Sequence, residues 1–225
     1  MAGLPGTSSG FVGLSESNPG QTQHKNLVKF LLISQLGTIT SETVVVASIY
    51  GPADVRPQKQ LSDRSYLEAI YRPNAGQSLV CDRERESFLK CTCESVVRTV
   101  TYPRTGVSVI VQKVQDFGGL LACAINAVCL ALLNSGIEMN CVICAVSAMV
   151  ADDDQIIIDP DHIKLKASKG RMTFTFDNCE NKIVNSYTEG TFTEAQYHEA
   201  LLRCKLISGQ IFKTFRNTVA RYNHS

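Results

Sequence analysis

The segment that most constrains this chain runs from Gly118 to Gly136, with the sequence GGLLACAINAVCLALLNSG. Between Leu120 and Leu133 every residue is apolar except Asn126. A helix that is apolar around its whole circumference belongs inside a protein or in a membrane. This one is shorter than the roughly 20 residues that cross a bilayer. Gly136 is placed as a left-handed C-cap. The segment therefore predicts a central helix covered by sheets and by other helices.

The rest of the chain predicts an α+β domain with mixed β-sheets packed around that buried helix. Residues 26–222 are interpreted as one domain, and residues 1–25, rich in Gly, Ser, Pro and Thr, as a disordered tail. One further helix is predicted to start at Asp82 as N-cap and to end at Pro103, and the last helix to follow a Thr193–Gln196 capping box. The predicted strands are Leu27–Leu36, Thr43–Tyr50 (stopped by Gly51-Pro52), Tyr66–Ile70, Val107–Val114, Cys141–Val150, Gln155–Ile158, Met172–Phe176 and Lys182–Tyr187.

Charge and cysteine content narrow the functional classes. The net charge of +1 gives no global attraction to nucleic acid, so such binding would need a local basic patch. Nine cysteines is an odd number, and most lie in apolar periodic segments, which favours reduced, buried thiols in an intracellular protein. No run reaches membrane-spanning length, and no basic-then-apolar signal opens the sequence. We expect a nuclear or cytosolic protein without a membrane segment.

Four groups of residues are candidates for chemistry. Asp116 with Gly118 and Gly119 suggests either an anion site at a helix start or only a tight turn that needs glycine. The aspartates 152, 153, 154, 159 and 161 suggest either a Mg²⁺ site or, as favoured, a solvated hairpin tip. Cys141 and Cys144 have CxxC spacing, but no second ligand pair supports zinc, and buried thiols are favoured. The histidines form no cluster: His24, His162, His198 and His224.

Basic residues form the remaining candidate, which could follow a phosphate backbone or be a solvated surface. They lie on the predicted loop after the second strand and at the start of the first helix. Phosphate contacts of this kind are independent of base sequence and sensitive to salt. No aromatic residues are interleaved in the pattern that predicts base stacking. The residues are Arg56, Lys59, Arg64, Arg83, Arg85 and Lys90.

Four blocks of sequence, in order, resemble RNase PH-type proteins, and most of all the RNase PH-like ring subunits of the eukaryotic RNA exosome. The blocks are SIYGPADVR, RERESFLKCTCESVV, TYPRTGVSVIVQKVQDFGGLLACAINAVCLALLNSGIEM and IIIDPD. The resemblance implies a single RNase PH-like domain and a ring of six such domains, through whose pore single-stranded RNA passes to a separate nuclease. It implies other ring subunits and cap subunits as partners, a role in ribosomal RNA maturation, and a place in nucleus, nucleolus and cytoplasm.

The resemblance also implies that this chain is not an enzyme. Active members hold phosphate with a Thr/Ser–Arg pair after the glycines, and that pair falls on Leu120 and Leu121 here. They carry two aspartates six residues apart, of which the first matches Asp159 and the second falls on Leu165. We therefore expect no catalytic site, metal or cofactor.

RNA contact near the pore is expected instead, from Arg56, Lys59 and Arg64, with Arg83 and Arg85 as weaker candidates. Two alternatives stay open. One is a residual nuclease, phosphorolytic or hydrolytic, that uses Asp159 with Asp152 to Asp154 or with Asp161. The other is a homodimer that binds RNA or DNA and assists a partner nuclease.

Overall fold

The computed structural model describes residues 28–33 and 43–223. The predicted tail 1–25, the turn around Gly37, and His24 and His224 lie outside these residues. The strands and helices are β1 Val28–Ile33, β2 Val44–Asp54, β3 Tyr66–Arg72, α1 Val80–Val96, β4 Thr105–Gln115, α2 Leu120–Ser135, β5 Ile143–Ala151, β6 Ile156–Ile158, α3 His162–Lys166, β7 Ser168–Asp177, β8 Ile183–Gly190 and α4 Glu194–Asn223.

These strands form two four-stranded sheets. The first has the order β1-β2-β4-β3, in which β3 and β4 are parallel and the other pairs are antiparallel. Parallel strands need a crossover connection, and α1 provides it between β3 and β4. The second sheet is antiparallel throughout, with the order β6-β5-β7-β8. The prediction of an α+β fold with mixed sheets is confirmed.

Helix α2 packs against both sheets, as its apolar circumference predicts. It contacts β1 and β2 of the first sheet and β5 of the second, and most of its residues are buried. Strand β5 has α2 on one face and α4 on the other, so eight of its nine residues are buried. Strand β2 instead alternates buried and half-buried residues because helices cover only one of its faces. Among the described residues, none of the helices combines the length and hydropathy that crossing a bilayer requires.

Several boundaries differ from the sequence predictions, among them the start of β7, which lies at Ser168 and not at Met172. Strand β2 continues past Gly51-Pro52 to Asp54, with a shift in its pairing with β4 between Tyr50 and Ala53. Helix α1 begins after Leu79, so Asp82 is not its N-cap but lies inside its first turn and accepts a hydrogen bond from the Leu79 N–H at 2.9 Å. The helix ends at Val96, well before Pro103, because the following residues form a separate 3₁₀ turn at Thr99–Thr101. The short helix α3 was not predicted.

Candidate functional site

The turn into α2 is built by two glycines that no other residue could replace without strain. Gly118 and Gly119 have φ of 131° and 57°. A Cβ on Gly118 would overlap the carbonyl oxygen of Pro160. A Cβ on Gly119 would lie 2.8 Å from Ser147 Oγ and 3.0 Å from Asp159 Oδ1. These glycines are required because backbone and side chains approach closely here.

A buried threonine that directly precedes β2 holds the same turn in place. The Thr43 hydroxyl donates to the Gly118 carbonyl at 2.6 Å and accepts from the Phe117 N–H at 3.1 Å. Asp116 Oδ1 accepts from the Gly118 N–H at 3.3 Å, which is a local turn interaction. The contacts of Asp116 therefore match the tight-turn interpretation.

Asp159 follows β6 and lies against the start of α2. Its φ is 51°, in the left-handed region, and its N–H donates to the Ser147 carbonyl at 2.9 Å. The Ser147 hydroxyl is buried beside it and has no hydrogen-bond partner within the described residues. No local pattern in the sequence points to Ser147, because it lies in an otherwise apolar strand.

A cleft of about 440 Å³ opens in front of this turn and is called the leucine cleft here. Leu120 and Leu121 from the first turn of α2 and Leu165 from α3 line it together. The structure thus brings together the three leucines that the family resemblance singles out. Its other lining residues include the cations Arg85, Lys166 and Arg171 and the acids Glu84, Asp116 and Glu189.

Both arginines that line the leucine cleft make contacts with neighbouring groups. Arg85 is 2.9 Å from the buried Asp82 carboxylate and stacks over the Tyr71 ring, with 5.6 Å between the guanidinium carbon and the ring centroid. Arg171 donates to the Leu165 carbonyl at 3.1 Å. Leu120 and Leu121 also line this cleft, and their side chains cannot donate hydrogen bonds to phosphate.

The aspartates do not gather into one cluster. Asp152 to Asp154 form the turn between β5 and β6, whereas Asp159 follows the opposite end of β6. Asp154 accepts from Lys169 at 3.1 Å and from Gln196 at 3.2 Å, and the Lys169 contact lowers the pKa of its carboxyl. Within residues 28–33 and 43–223, no group of three or more His, Cys, Asp or Glu residues could hold a metal ion.

The basic candidates separate into different surfaces. Arg56 and Lys59 line a second hollow, of about 400 Å³, together with Tyr50 and Tyr66; we call it the basic hollow. Arg64 is exposed on the same connection between β2 and β3, and Arg83 is exposed in the first turn of α1. Arg85 lies instead in the leucine cleft.

An aromatic ring that the sequence pattern did not reveal organises the basic hollow. The Lys59 and Lys90 ammonium groups lie 5.3 and 5.5 Å from the Tyr66 ring centroid. Lys59 also contacts the Glu68 carboxylate at 2.7 Å, which raises the pKa of the lysine. Tyr66 and Glu68 share one face of β3, so the period-two pattern of that strand could have identified the pair.

The buried thiols agree in part with the sequence interpretation. Cys144 is buried and donates to the Ser208 carbonyl, at 3.8 Å between sulfur and oxygen, as the buried-thiol interpretation predicts. Burial raises the pKa of three other thiols to about 12. These are Cys93, Cys129 and Cys204. Cys91, expected to be buried, is exposed on α1.

Two family descriptions match consecutive stretches of the chain. Residues 35–138 match "3′ exoribonuclease family, domain 1", and residues 141–202 match "3′ exoribonuclease family, domain 2", both of the RNase PH type. The chain belongs to the RNase PH family. The first match ends just after α2, and the second spans β5 to β8 and the start of α4.

Relatives within the RNase PH family are exosome proteins. "Exosome complex exonuclease RRP46 homolog" of Arabidopsis thaliana is 34% identical over 152 residues, which cover 66% of this chain and 64% of that protein. The crystal structure of Rrp46 from rice superimposes with a TM-score of 0.76 at 27% identity and covers 91% of this chain and 98% of that chain. An RNA-bound exosome structure from Archaeoglobus fulgidus, with a TM-score of 0.66 and 16% identity over 83% of this chain and 82% of that chain, shows the shared fold. The predicted resemblance to an RNase PH-like exosome subunit of the Rrp46 type is confirmed.

Proposed function

We propose that this chain is a non-catalytic subunit of an exosome ring and supports 3′-to-5′ RNA processing, including ribosomal RNA maturation, that a separate nuclease carries out. The names of its relatives place them in exosome complexes. The RNase PH fold supports this assignment for the present chain.

The main support for a non-catalytic role is the lining of the leucine cleft. The family resemblance places phosphate donors and a second acid at Leu120, Leu121 and Leu165, and all three leucines line the cleft. Loss of a single preorganised donor to a developing negative charge typically slows a reaction about 10²–10³-fold. With all three positions replaced, we expect no measurable phosphorolysis.

The test uses purified protein and a 3′-labelled single-stranded RNA, with and without inorganic phosphate, beside an Asp159→Asn variant. An active RNase PH enzyme in the same buffers controls for substrate quality. We expect no release of labelled nucleotide by either form in either buffer. Phosphate-dependent shortening that Asp159→Asn abolishes would overturn the proposal. Phosphate-independent shortening with the same sensitivity would instead favour the residual nuclease. Equal shortening by both forms would reveal a contaminating nuclease.

Neighbouring RNase PH-like ring subunits and cap subunits are the proposed partners. Strand β8 supports this because it is an edge strand of eight residues, mostly exposed or half-buried. An exposed strand edge offers unpaired N–H and C=O groups to another chain.

We propose that the protein is located in the nucleus, the nucleolus and the cytoplasm. DNA binding and homodimerisation stay predictions.

A further inference from the structure

Cys141 has a partner in the fold that is not the cysteine suggested by the sequence. Its CxxC neighbour Cys144 is buried against α4 and donates a hydrogen bond to the Ser208 carbonyl. Cys141 itself is partly exposed, just before β5. Cys179 is exposed just after β7, in the turn that leads to β8. Both are thiols in this structure.

The pairing of β5 with β7 brings the segments that carry these two cysteines side by side. Ile143 pairs with Asp177 and Cys144 with Phe176 in one continuous antiparallel register. Beyond the strand ends the same register continues, because the Asn178 N–H donates to the Val142 carbonyl at 3.0 Å. One step further in this register would set Cys141 opposite Cys179, which lies in the turn that the Asp177 N–H closes by donating to the Lys182 carbonyl at 3.0 Å.

In that extended register the two cysteines would take a position in which side chains come closest. Because Val142 and Asn178 are joined by a backbone hydrogen bond, the pair beside them is a non-hydrogen-bonded pair. Such pairs have Cα atoms about 4.5 Å apart. That separation lies inside the range of about 4.4–6.8 Å that disulfides span.

The side chain of Asn178 holds the two segments together. Its Oδ1 accepts from the Val142 N–H at 2.9 Å and from the Cys179 thiol at 3.5 Å. Asn178 Oδ1 therefore accepts hydrogen bonds both from the Cys179 thiol and from Val142, the residue after Cys141. Burial raises the pKa of Cys141, and the neighbouring charges of Asp177 and Cys179 act in the same direction.

We propose that Cys141 and Cys179 form a reversible intrachain disulfide when the chain meets a small disulfide oxidant such as glutathione disulfide. The exposed Cys179 thiolate attacks one glutathione sulfur and expels a glutathione thiolate. The Cys141 thiolate then attacks Cys179 Sγ and expels a second glutathione thiolate. Two protein thiols are oxidised, one glutathione disulfide is reduced to two glutathione molecules, and these take up the two protons. Val142 and Asn178 line an apolar hollow together with Phe212 and Phe215. The disulfide would link the two segments that contain Val142 and Asn178.

The test is peptide mapping of the whole chain after incubation with glutathione disulfide. Remaining thiols are blocked with N-ethylmaleimide in denaturant, and trypsin digestion follows without reductant. The tryptic peptide 172–182 contains Cys179 as its only cysteine, whereas peptide 114–164 contains Cys123, Cys129, Cys141 and Cys144. We expect these peptides to be linked in wild type and in Cys91→Ser, a control for an exposed thiol on α1, and unlinked in Cys141→Ser and in Cys179→Ser.

Stability gives a second readout. Formation of the Cys141–Cys179 disulfide should raise the midpoint of thermal unfolding by roughly 5–10 °C. Dithiothreitol should reverse the rise. Neither cysteine variant should show the rise. A link that survives Cys141→Ser, a lasting glutathione adduct on Cys179 without a link, or a link between two copies of the chain would each overturn the proposal.

Discussion

Asn126 is the single polar residue between Leu120 and Leu133 of the central helix, and its side chain makes the backbone hydrogen bonds that a neighbouring strand would otherwise make. Strand β6 is three residues long and pairs only with Ala148 to Val150 of β5. On the edge of β5 that faces β6, the backbone of the buried Ala145 therefore has no strand to pair with. Asn126 Nδ2 donates to the Ala145 carbonyl at 3.0 Å, and Asn126 Oδ1 accepts from the Ala145 N–H at 2.7 Å. Both backbone groups are therefore satisfied inside the core.

Replacing Asn126 by leucine should cost about 3 kcal/mol in the free energy of unfolding, because a buried N–H and a buried C=O would both lose their partner. Urea denaturation measures this. Asn134→Leu is the matched control, since Asn134 is exposed on the same helix, and it should change the free energy of unfolding by less than about 0.5 kcal/mol. Equal losses in the two variants would contradict the assigned role of Asn126.

The connection between β2 and β3 is the element that we assign to RNA contact. It presents Arg56 and Lys59 beside Tyr66, so cations and an aromatic face meet in the basic hollow. This arrangement suits a phosphate backbone with no preference for base sequence.

The double variant Arg56→Ala, Lys59→Ala should weaken binding of single-stranded RNA to a similar extent for poly(U) and poly(A). The slope of log K against log salt should fall by about 1.4, because two phosphate contacts are lost. Lys205→Ala, Lys213→Ala removes the same charge from exposed positions of α4 and should leave the slope unchanged. An unchanged slope in the first variant would show that the basic hollow does not contact RNA.

At the level of elements, sequence patterns predict the helices and strands that local residues determine, but they do not predict contacts between distant segments. The all-round apolar pattern and Gly136 located α2 to within two residues at either end. Val100 lies inside the helix that the sequence predicts up to Pro103, yet it is 71% exposed because α1 has already ended at Val96. The Lys59–Tyr66–Lys90 contacts join a loop, a strand and a helix, so no single window of sequence contains them.

The candidate site shows the same division. The family motif led to Leu120, Leu121 and Leu165, and the fold brings them into one cleft. Ser147 and Arg171 come to that cleft from β5 and β7, and neither carries a local signal in the sequence. Long-range pairing places them, so the sequence alone could not.

Across the whole molecule, neutral thiols make stability depend on alkaline pH. Burial raises the pKa of Cys93, Cys129 and Cys204 from 9.0 to about 12, and that of Tyr71 from 10.0 to about 12. Above pH 9 the unfolded chain loses these protons while the folded chain keeps them. The free energy of unfolding therefore falls as pH rises from 9 toward 12, by about 1.4 kcal/mol per pH unit for each thiol.

Cys93→Ala should reduce this slope by about 1.4 kcal/mol per pH unit, whatever its effect on stability at neutral pH. Urea denaturation between pH 8 and 10.5, with reductant present, measures the slope. Cys91→Ala removes an exposed thiol from the same helix and should leave the slope as in wild type. Identical slopes in the two variants would show that Cys93 ionises alike in the folded and unfolded chains.

The position of α2 has a consequence for any attempt to divide this protein. The two matched family segments meet between residues 138 and 141, directly after α2, so the boundary in sequence falls beside the helix that both sheets cover. A fragment that ended there would keep α2 with one side bare, and a fragment that began there would lack the helix that fills its interior. The two segments thus share one interior and should gain and lose order as a single cooperative unit, with neither half soluble by itself.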